Sequence, residues 1–324
     1  MIKAIRFEKT GGSDVLRYMD YDLPPPAKGQ VQVRHTAIGV NFIDTYHRTG
    51  LYPLPLPSGL GMEAAGVVSA LGEGVTHFKI GDRVGYCGGA IGSYADANNV
   101  PAEKLVALPA GVSDEIAAAI LLKGMTAQYL LRRIHPVKAG ETILFHAAAG
   151  GVGQIACQWA KHLGAIVIGT TTSPQKVALA RANGCDHVLS TQEPGWEKQV
   201  RDLTGGKGVP VVYDSIGKDT FMAGLDCLSP RGIMVTYGNS SGPVDPFPPS
   251  VLAAKGSLFV TRPVLAHYTS TPKELQGAAD DLFAVIASGA VKVAVNQRFA
   301  LKDAAKAHEA LTGKQTTGAT ILIP

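Results

Sequence analysis

The sequence lacks any apolar run of about eighteen residues or more, so it predicts no membrane-spanning helix. Charged side chains interrupt the first eight residues, and we therefore expect no secretory signal peptide. The four cysteines, Cys87, Cys157, Cys185 and Cys227, lie far apart and have no CxxC spacing. They predict neither a disulfide framework nor a zinc site. Together these absences favour a cytoplasmic protein.

Charge of one sign is also scarce, because 30 basic residues face 26 acidic ones and the net charge is only +4. The basic residues are scattered, and Arg132 and Arg133 are the only adjacent pair. A nucleic-acid-binding protein usually concentrates its basic residues on one face, so we do not expect nucleic acid as a partner. Hydrophobic residues make up 46% of the chain, which excludes a disordered protein.

A length of 324 residues predicts about two domains. The first 125 residues consist of short alternating segments and turns, for example residues 2–7, 31–34 and 65–68. This pattern is typical of β-strands and indicates a barrel-like first domain. The closing segment 319–323 also has strand character, and it could return to that first domain.

The pattern changes near Asp114, where an apolar helix begins with Ser113 or Asp114 as a candidate N-cap. From residue 141, predicted strands alternate with segments of helical length, which favours a parallel sheet with helices on both faces. The predicted strands cover residues 142–147, 166–170, 187–190, 210–214 and 232–237, and the predicted helices cover residues 152–163, 174–182, 278–288 and 302–311.

The segment 140–153 has the order strand, glycine-rich turn, helix, which is the context of a dinucleotide-binding site. Gly150 would let the backbone approach a pyrophosphate, and Gly153 would let the helix pack closely on the strand. The amide groups at the helix N-terminus would then face the phosphates. Ala148 replaces the first glycine of the usual GxGxxG motif, so the motif is a variant.

The end of the next strand distinguishes NAD from NADP. A carboxylate about 20 residues after the glycines would bind the ribose 2′-hydroxyl of NAD, but residues 170–176 contain no acid. They contain hydroxyl groups, among them that of Thr172, and end with Lys176. Hydroxyl donors and a cation suit a 2′-phosphate, so we expect NADPH as the cofactor.

The glycine-rich segment belongs to a longer motif, made of Gly140, Glu141, Leu144, Ala148, Ala149, Gly150, Gly151, Gly153, Gln158 and Lys161. The segments 39–53, 213–217, 237–242 and 260–263 accompany it in order. The whole chain thereby resembles the quinone oxidoreductase and zeta-crystallin family of the medium-chain dehydrogenases/reductases, particularly its bacterial NADPH-dependent members.

The resemblance implies an α/β fold with two domains and an active cleft between them. Residues 1–125, completed by 262–324, would form a GroES-like β-barrel catalytic domain. Residues 126–261 would form a Rossmann domain with a doubly wound parallel sheet. Family members are usually homodimers or tetramers whose Rossmann sheets join across the interface, so a homodimer is expected.

The resemblance also bears on metal binding. Zinc alcohol dehydrogenases of the same superfamily carry Gly-His-Glu, whereas this chain has Gly61-Met62-Glu63. Methionine is a poor zinc ligand, and the position of the usual cysteine ligand falls at 41–44, which has no cysteine. We therefore expect no metal, and a hydride transfer to an acceptor that is already electrophilic, such as a quinone. Glu63 is expected to be structural.

The family implies roles for residues of this chain. The catalytic candidates are Asn41, Tyr46 and Tyr52. The residues expected to bind NADPH are Asn41, Phe42, Tyr46, Thr126, Gly150, Gly151, Val152, Gly153, Thr172, Lys176, Thr191, Ser215, Asn239, Ser240, Val260, Arg262 and Lys314. Tyr46 and Tyr52 would line the acceptor pocket and donate to a quinone oxygen, although packing alone would also explain both.

Two residues depart from the family pattern. Thr191 stands where relatives often have a tyrosine near the adenosine phosphate, and Lys314 stands where a close relative has arginine. Two alternative functions stay open: an NADPH-dependent reductase of α,β-unsaturated carbonyls, and a cofactor-bound structural or RNA-binding protein like some zeta-crystallins.

Overall fold

The computed structural model describes residues 1–313 and 315–324. The chain divides into two compact units: unit 1 comprises Met1–Met125, Thr269–Ala287 and Val293–Pro324, and unit 2 comprises Thr126–Tyr268 and Ser288–Lys292. The predicted domain boundaries, and the roles assigned to the two domains, stay predictions. Each helix in the described part of the chain is too short or too polar to cross a bilayer.

The helices and strands follow one another along the chain in this order. The elements up to residue 129 are β1 (Ile2–Phe7), β2 (Arg17–Tyr21), β3 (Gln30–Val40), α1 (Phe42–Thr49), β4 (Ser58–Gly59), β5 (Glu63–Leu71), β6 (Arg83–Cys87), β7 (Ala97–Pro101), β8 (Val106–Ala107) and α2 (Asp114–Tyr129). The next are β9 (Thr142–Phe145), α3 (Gly151–His162), β10 (Ile166–Thr171), α4 (Val177–Ala182), β11 (His187–Ser190), α5 (Trp196–Leu203), β12 (Val209–Asp214), α6 (Phe221–Asp226), β13 (Leu228–Thr236), α7 (Ser250–Ala254), β14 (Phe259–Thr261) and α8 (Leu265–Tyr268). The last are α9 (Pro272–Ala287), β15 (Val295–Ala300), α10 (Ala304–Thr312) and β16 (Ala319–Ile323).

Unit 1 is built on a seven-stranded mixed sheet in the order β15-β16-β3-β5-β6-β8, with β7 paired to β3. Strands β2, β1 and β4 form a smaller sheet. The inward-facing side chains of these strands, such as Val31, Val33 and Val84, form one buried core with Tyr86 and Tyr94. The C-terminal strand β16 pairs antiparallel with β3, so the end of the chain does return to the first unit.

Unit 2 is built on a six-stranded sheet in the order β11-β10-β9-β12-β13-β14. Every neighbouring pair in it is parallel. Numbered within the unit, this is the order 3-2-1-4-5-6 of a Rossmann fold. The prediction of a Rossmann parallel sheet is therefore confirmed. The switch in direction of the strand order lies between β9 and β12, which is where such sheets bind dinucleotides.

Several observed elements differ in extent from the prediction. The strand predicted over residues 142–147 ends at Phe145, because Ala147 adopts a left-handed conformation with φ +52 and opens the glycine-rich turn. The helix predicted from Asp114 runs on to Tyr129, and Oγ of Ser113 accepts a hydrogen bond from the amide of Ile116, which is N-cap geometry. Strand β14 was not predicted, since its three residues are too few to show a period.

Candidate active site

The turn between β9 and α3 brings the predicted phosphate-binding residues together at a helix N-terminus. Gly150 is the N-cap of α3, and its amide donates to the carbonyl oxygen of Ala147 at 2.8 Å. A Cβ at Gly153 would lie 2.3 Å from that same oxygen, so no side chain fits there. Gly151 and Val152 occupy the first turn of α3, which carries no acidic residue. This arrangement suits a pyrophosphate, since helix N-termini bind anions through free amide groups.

Strands β10 and β11 follow β9 in the sheet, and they end at the same edge as the turn. Thr172 follows β10 and is exposed, and Lys176 closes a 3₁₀ turn and is partly exposed. Thr191 follows β11, and its amide donates to the carbonyl oxygen of Thr171 at 3.1 Å. The structure therefore gathers Thr172, Lys176 and Thr191 at the ends of neighbouring strands, and this set of hydroxyls and a cation suits a phosphate.

The ends of β12, β13 and β14 carry the other predicted residues of unit 2. Asp214 is fully buried, and its Oδ1 accepts the amides of Ile216 and Gly217 at 2.7 and 3.2 Å, which holds the loop that begins at Ser215. The amide of Ser240 donates to the carbonyl oxygen of Ser215 at 3.2 Å. Two neighbouring loops are thereby fixed at the edge where the strands end.

Arg262 fixes the loop after β13. Its Nη1 donates to the carbonyl oxygen of Gly238 at 3.0 Å. The side-chain amide of Asn239 is assigned in the orientation in which its nitrogen donates to Gly238 and its oxygen accepts from Nη2 of Arg262 at 3.2 Å. Val260, which pairs with Met234, lies one strand further along.

Two cofactor candidates lie away from these strand ends. Thr126 is buried and forms a side-chain hydrogen bond with Tyr129, and burial raises the pKa of that tyrosine. Lys314, the remaining cofactor candidate, lies outside the described residues.

In unit 1, an aromatic group forms on α1 and the loop that follows it. The ring centroids of Phe42 and Tyr46 are 5.6 Å apart, and those of Tyr46 and Tyr52 are 5.2 Å apart, both with edge-to-face geometry. Gly50 ends α1 in the left-handed conformation at φ 86, which turns the chain back. The amide of Tyr52 can then donate to the carbonyl oxygen of Tyr46 at 3.1 Å. All three rings are half-buried, so each keeps an accessible face or edge.

Asn41 is the N-cap residue of α1 and is only 4% exposed. Its Oδ1 accepts from Nζ of Lys123 at 2.7 Å, and its Nδ2 donates to Oε2 of Glu63 at 2.6 Å. Asp44 joins this region, since its Oδ2 accepts the amide of Asn41 at 2.8 Å. Burial raises the pKa of Asp44 to about 7. The expectation that Glu63 is structural agrees with its complete burial.

Lys123 is a residue of this site that the sequence reading missed. The sequence does contain a signal for it, because a single lysine interrupts the apolar helix segment 117–125.

The described residues contain no group of three or more His, Cys, Asp or Glu side chains that could hold a metal ion. Cys87 is buried, and burial, followed by the charge of Glu63, raises the pKa of its thiol well above the usual range.

Comparisons with known proteins cover the whole chain. Residues 27–110 match the family described as "Alcohol dehydrogenase GroES-like domain", and residues 151–281 match the family described as "Zinc-binding dehydrogenase". The prediction of a GroES-like first domain is thereby confirmed.

Individual relatives match over nearly all of both chains. A quinone oxidoreductase of Pseudomonas aeruginosa is 53% identical over 325 residues, covering 100% of each chain. A crystal structure of Escherichia coli quinone oxidoreductase complexed with NADPH has a TM-score of 0.98 at 51% identity, covering 99% of this chain and 100% of that one. A 2-haloacrylate reductase of a Burkholderia species is 46% identical over 332 residues, covering 100% of this chain and 99% of the relative. With this fold, this glycine-rich turn and these full-length similarities, the chain belongs to the quinone oxidoreductase family of the medium-chain dehydrogenases/reductases.

Proposed function

We propose that the protein is an NADPH-dependent quinone oxidoreductase that works without zinc. The observation that carries the proposal is the turn between β9 and α3, where a Cβ at Gly153 would meet the oxygen of Ala147 at 2.3 Å. Only a glycine there allows the backbone to form the phosphate-binding turn. The full-length identity of 51–53% with bacterial quinone oxidoreductases supports the same reaction.

The cofactor fits the residues present in unit 2. The segment Gly150 to Gly153 would bind the pyrophosphate through the amides at the start of α3, and Thr172, Lys176 and Thr191 would bind the 2′-phosphate. Further contacts are proposed for Thr126, Ser215, Asn239, Ser240, Val260 and Arg262. NADPH, when bound, supplies the hydride. The preference over NADH follows from the lack of any acid in residues 170–176, since a carboxylate there would repel a 2′-phosphate.

The acceptor side is proposed for unit 1, on the aromatic group of Phe42, Tyr46 and Tyr52. Edge-to-face rings with exposed surface offer a flat quinone a stacking partner. The phenol hydroxyls of Tyr46 and Tyr52 would donate hydrogen bonds to a quinone oxygen on which negative charge develops. Asn41 is proposed to contribute its remaining amide hydrogen or lone pair. The placement of the reaction in an interdomain cleft stays a prediction from the family resemblance.

The proposal is tested by following NADPH oxidation at 340 nm with a panel of acceptors. We expect kcat/KM for 1,4-benzoquinone and 1,4-naphthoquinone to exceed that for simple enones and 2-haloacrylates by at least about tenfold, which corresponds to about 1.4 kcal/mol. NADH should replace NADPH poorly. An enzyme that reduces none of the quinones with NADPH would contradict the proposal.

The second candidate is an NADPH-dependent reductase of α,β-unsaturated carbonyls. It is favoured by the 46% identity with a 2-haloacrylate reductase, which covers 100% of this chain. The same acceptor panel separates the two, because a larger kcat/KM for the acrylates than for the quinones would favour this candidate.

We further propose that the protein is a homodimer joined along β14. This strand is at one end of the six-stranded sheet and pairs with β13. Phe259 on it is 61% exposed, and Val264 just beyond it is 50% exposed. An apolar edge strand is a surface suited to pairing with a second copy. Light scattering should give about twice the 33.8 kDa chain mass, and Phe259→Asp should shift the protein toward the monomer.

A further inference from the structure

Lys123 is a lysine inside the core of unit 1. It lies on α2 and is only 7% exposed. Moving an ammonium group out of water is costly unless partners replace the lost hydration. Its Nζ has three oxygen partners: Oδ1 of Asn41 at 2.7 Å, the carbonyl oxygen of Val40 at 3.3 Å and Oε2 of Glu63 at 3.5 Å. Two of these contacts are hydrogen bonds and the third is an ion pair, so the cluster replaces the hydration that the ammonium loses on burial.

Glu63 completes the charge balance. It is 0% exposed, and its Oε1 accepts the amide of Leu122 at 2.7 Å. Its Oε2 accepts Nδ2 of Asn41 at 2.6 Å and faces Lys123. A Cβ at Gly39 would lie 2.2 Å from this oxygen, so the carboxylate packs directly on the backbone of β3. The position of the carboxylate is therefore set by β3, β5 and α2 together.

The consequence falls on Asn41, because a cation binds its amide oxygen and an anion binds its amide nitrogen. The two charges allow one orientation of the amide, since turning it by 180° would place donors against the ammonium and an acceptor against the carboxylate. The same residue begins α1, and its backbone amide is held by Asp44. The charge pair thus fixes the Asn41 side chain, and Asp44 holds its backbone amide at the start of the helix that carries Tyr46.

We propose that Lys123 and Glu63 are a positioning pair for the reductase, which act on turnover through the amide of Asn41 and the start of α1. The inference rests on the proposed role of Asn41 in the reaction. The pair does not touch the reactants. Its contribution is a fixed direction for the Asn41 amide, which a neutral side chain at position 123 would no longer supply.

The experiment compares Lys123→Met with the double variant Lys123→Met/Glu63→Gln. The single variant leaves a buried carboxylate without its cation and should lower the melting temperature strongly. The double variant removes both charges and keeps the shape of both side chains, so it should recover most of that loss. We expect its kcat with 1,4-benzoquinone to stay about tenfold or more below wild type, while KM and Kd for NADPH change less than about twofold.

A matched control removes another ion pair of α2. Nη2 of Arg83 lies 2.5 Å from Oδ1 of Asp114, away from Asn41. The variant Arg83→Met/Asp114→Asn should lower the melting temperature and leave kcat unchanged. The positioning proposal is overturned if the double variant of Lys123 and Glu63 has wild-type kcat, or if it does not fold, because the pair would then serve the fold alone.

A further variant separates this inference from the proposed function. Asn41→Ala removes the amide and leaves the charge pair in place. If its kcat is reduced and the double variant of Lys123 and Glu63 is fully active, only the positioning pair is wrong. If Asn41→Ala itself has wild-type kcat, the proposed role of Asn41 is wrong, and the positioning role falls with it.

Discussion

The hydroxyl of Tyr94 lies 3.0 Å from Nε2 of His308, although 214 residues separate the two along the chain. The same hydroxyl donates to Oδ2 of Asp44 at 2.9 Å, and Nη1 of Arg48 lies 3.3 Å from Nδ1 of His308. Because the Tyr94 hydrogen is used on Asp44, its oxygen must accept from Nε2 of His308. Nδ1 then accepts from Arg48, so the neutral ring with its hydrogen on Nε2 has a partner at both nitrogens.

This arrangement predicts a dependence of stability on pH. Burial, and then the charge of Arg48, lowers the pKa of His308 to about 3, against about 6.5 for an unfolded histidine. As the pH falls below 6.5, the unfolded chain binds a proton that the folded chain does not, so the free energy of unfolding falls. His308→Gln should reduce the loss between pH 7 and pH 5 by up to about 2 kcal/mol.

Urea unfolding at a series of pH values measures this difference. His35, whose pKa burial lowers to about 4, adds a loss of the same sign. Asp44, whose pKa burial raises to about 7, acts oppositely, since its stabilisation is lost as the pH rises toward 7. The His35 contribution is present in each protein and cancels in the comparison. Asp44 shares the hydroxyl of Tyr94 with His308, so the measured difference includes any change in the Asp44 contribution. His77→Gln, at an exposed position, should keep the wild-type profile. Identical profiles for His308→Gln and wild type would contradict the prediction.

A second prediction concerns Gly153→Ala. The added methyl group would meet the backbone of Ala147 and Ala148 at 2.3–2.8 Å, and backbone atoms cannot move aside as a flexible side chain would. We expect a loss of about 1–3 kcal/mol in stability, together with weaker NADPH binding because the turn is displaced. Thermal unfolding and a fluorescence titration with NADPH measure the two effects.

The control for this variant is Gly277→Ala, which lies on an exposed face of α9 with no atom within 4 Å of the new Cβ. This change should raise stability by up to about 1 kcal/mol, because alanine favours a helix more than glycine does. A Gly153→Ala protein with unchanged NADPH affinity would mean that the turn does not bind the cofactor.

A third prediction is that Lys176→Ala weakens NADPH binding much more than NADH binding. A charge-assisted contact with a phosphate is worth about 1.5–3 kcal/mol, which corresponds to a loss of roughly 10- to 100-fold in affinity for NADPH. Isothermal titration with both cofactors measures this ratio. Lys198→Ala removes a solvent-exposed lysine of α5 as a control and should affect neither cofactor. Equal losses for both cofactors would show that Lys176 does not contact the 2′-phosphate.

The fourth prediction concerns the tyrosine hydroxyls. Tyr46→Phe and Tyr52→Phe keep the edge-to-face rings and remove one donor each. If these donors stabilise the developing charge on the quinone, kcat/KM for the quinone falls by about 1–3 kcal/mol, while the melting temperature and the NADPH affinity change little. Tyr18→Phe, on the exposed strand β2, is the control. Unchanged turnover in both single variants and in the double variant would return the two residues to a packing role.

The amino-acid sequence by itself determined the parts of this protein that depend on neighbouring residues. Alternation of apolar and polar residues predicted the first strands of unit 1, and the succession of strand-like and helix-like segments predicted the parallel sheet of unit 2. The segment from Thr142 to Gly153 is local, so strand, turn and helix could all be recognised from its glycines. The cofactor preference is local as well. Residues 170–176 form one short segment at a strand end, and its lack of an acid together with Lys176 indicates NADPH.

Only the tertiary structure decided which distant side chains meet. Lys123 and Asn41 are 82 residues apart, and Tyr94 and His308 are 214 apart. Periodicity shows that such residues are buried, but the partner of each depends on the order of the strands. Strand β16 pairs with β3, and this pairing belongs to the same sheet order that brings Glu63 on β5 beside β3. The family resemblance predicts a role for Asn41 in the reaction, and the folded chain adds that buried charges bind both ends of its amide. The sequence could not pair Lys123 with Glu63. Burying either charge alone is costly, and the two meet only because the fold brings β3, β5 and α2 together.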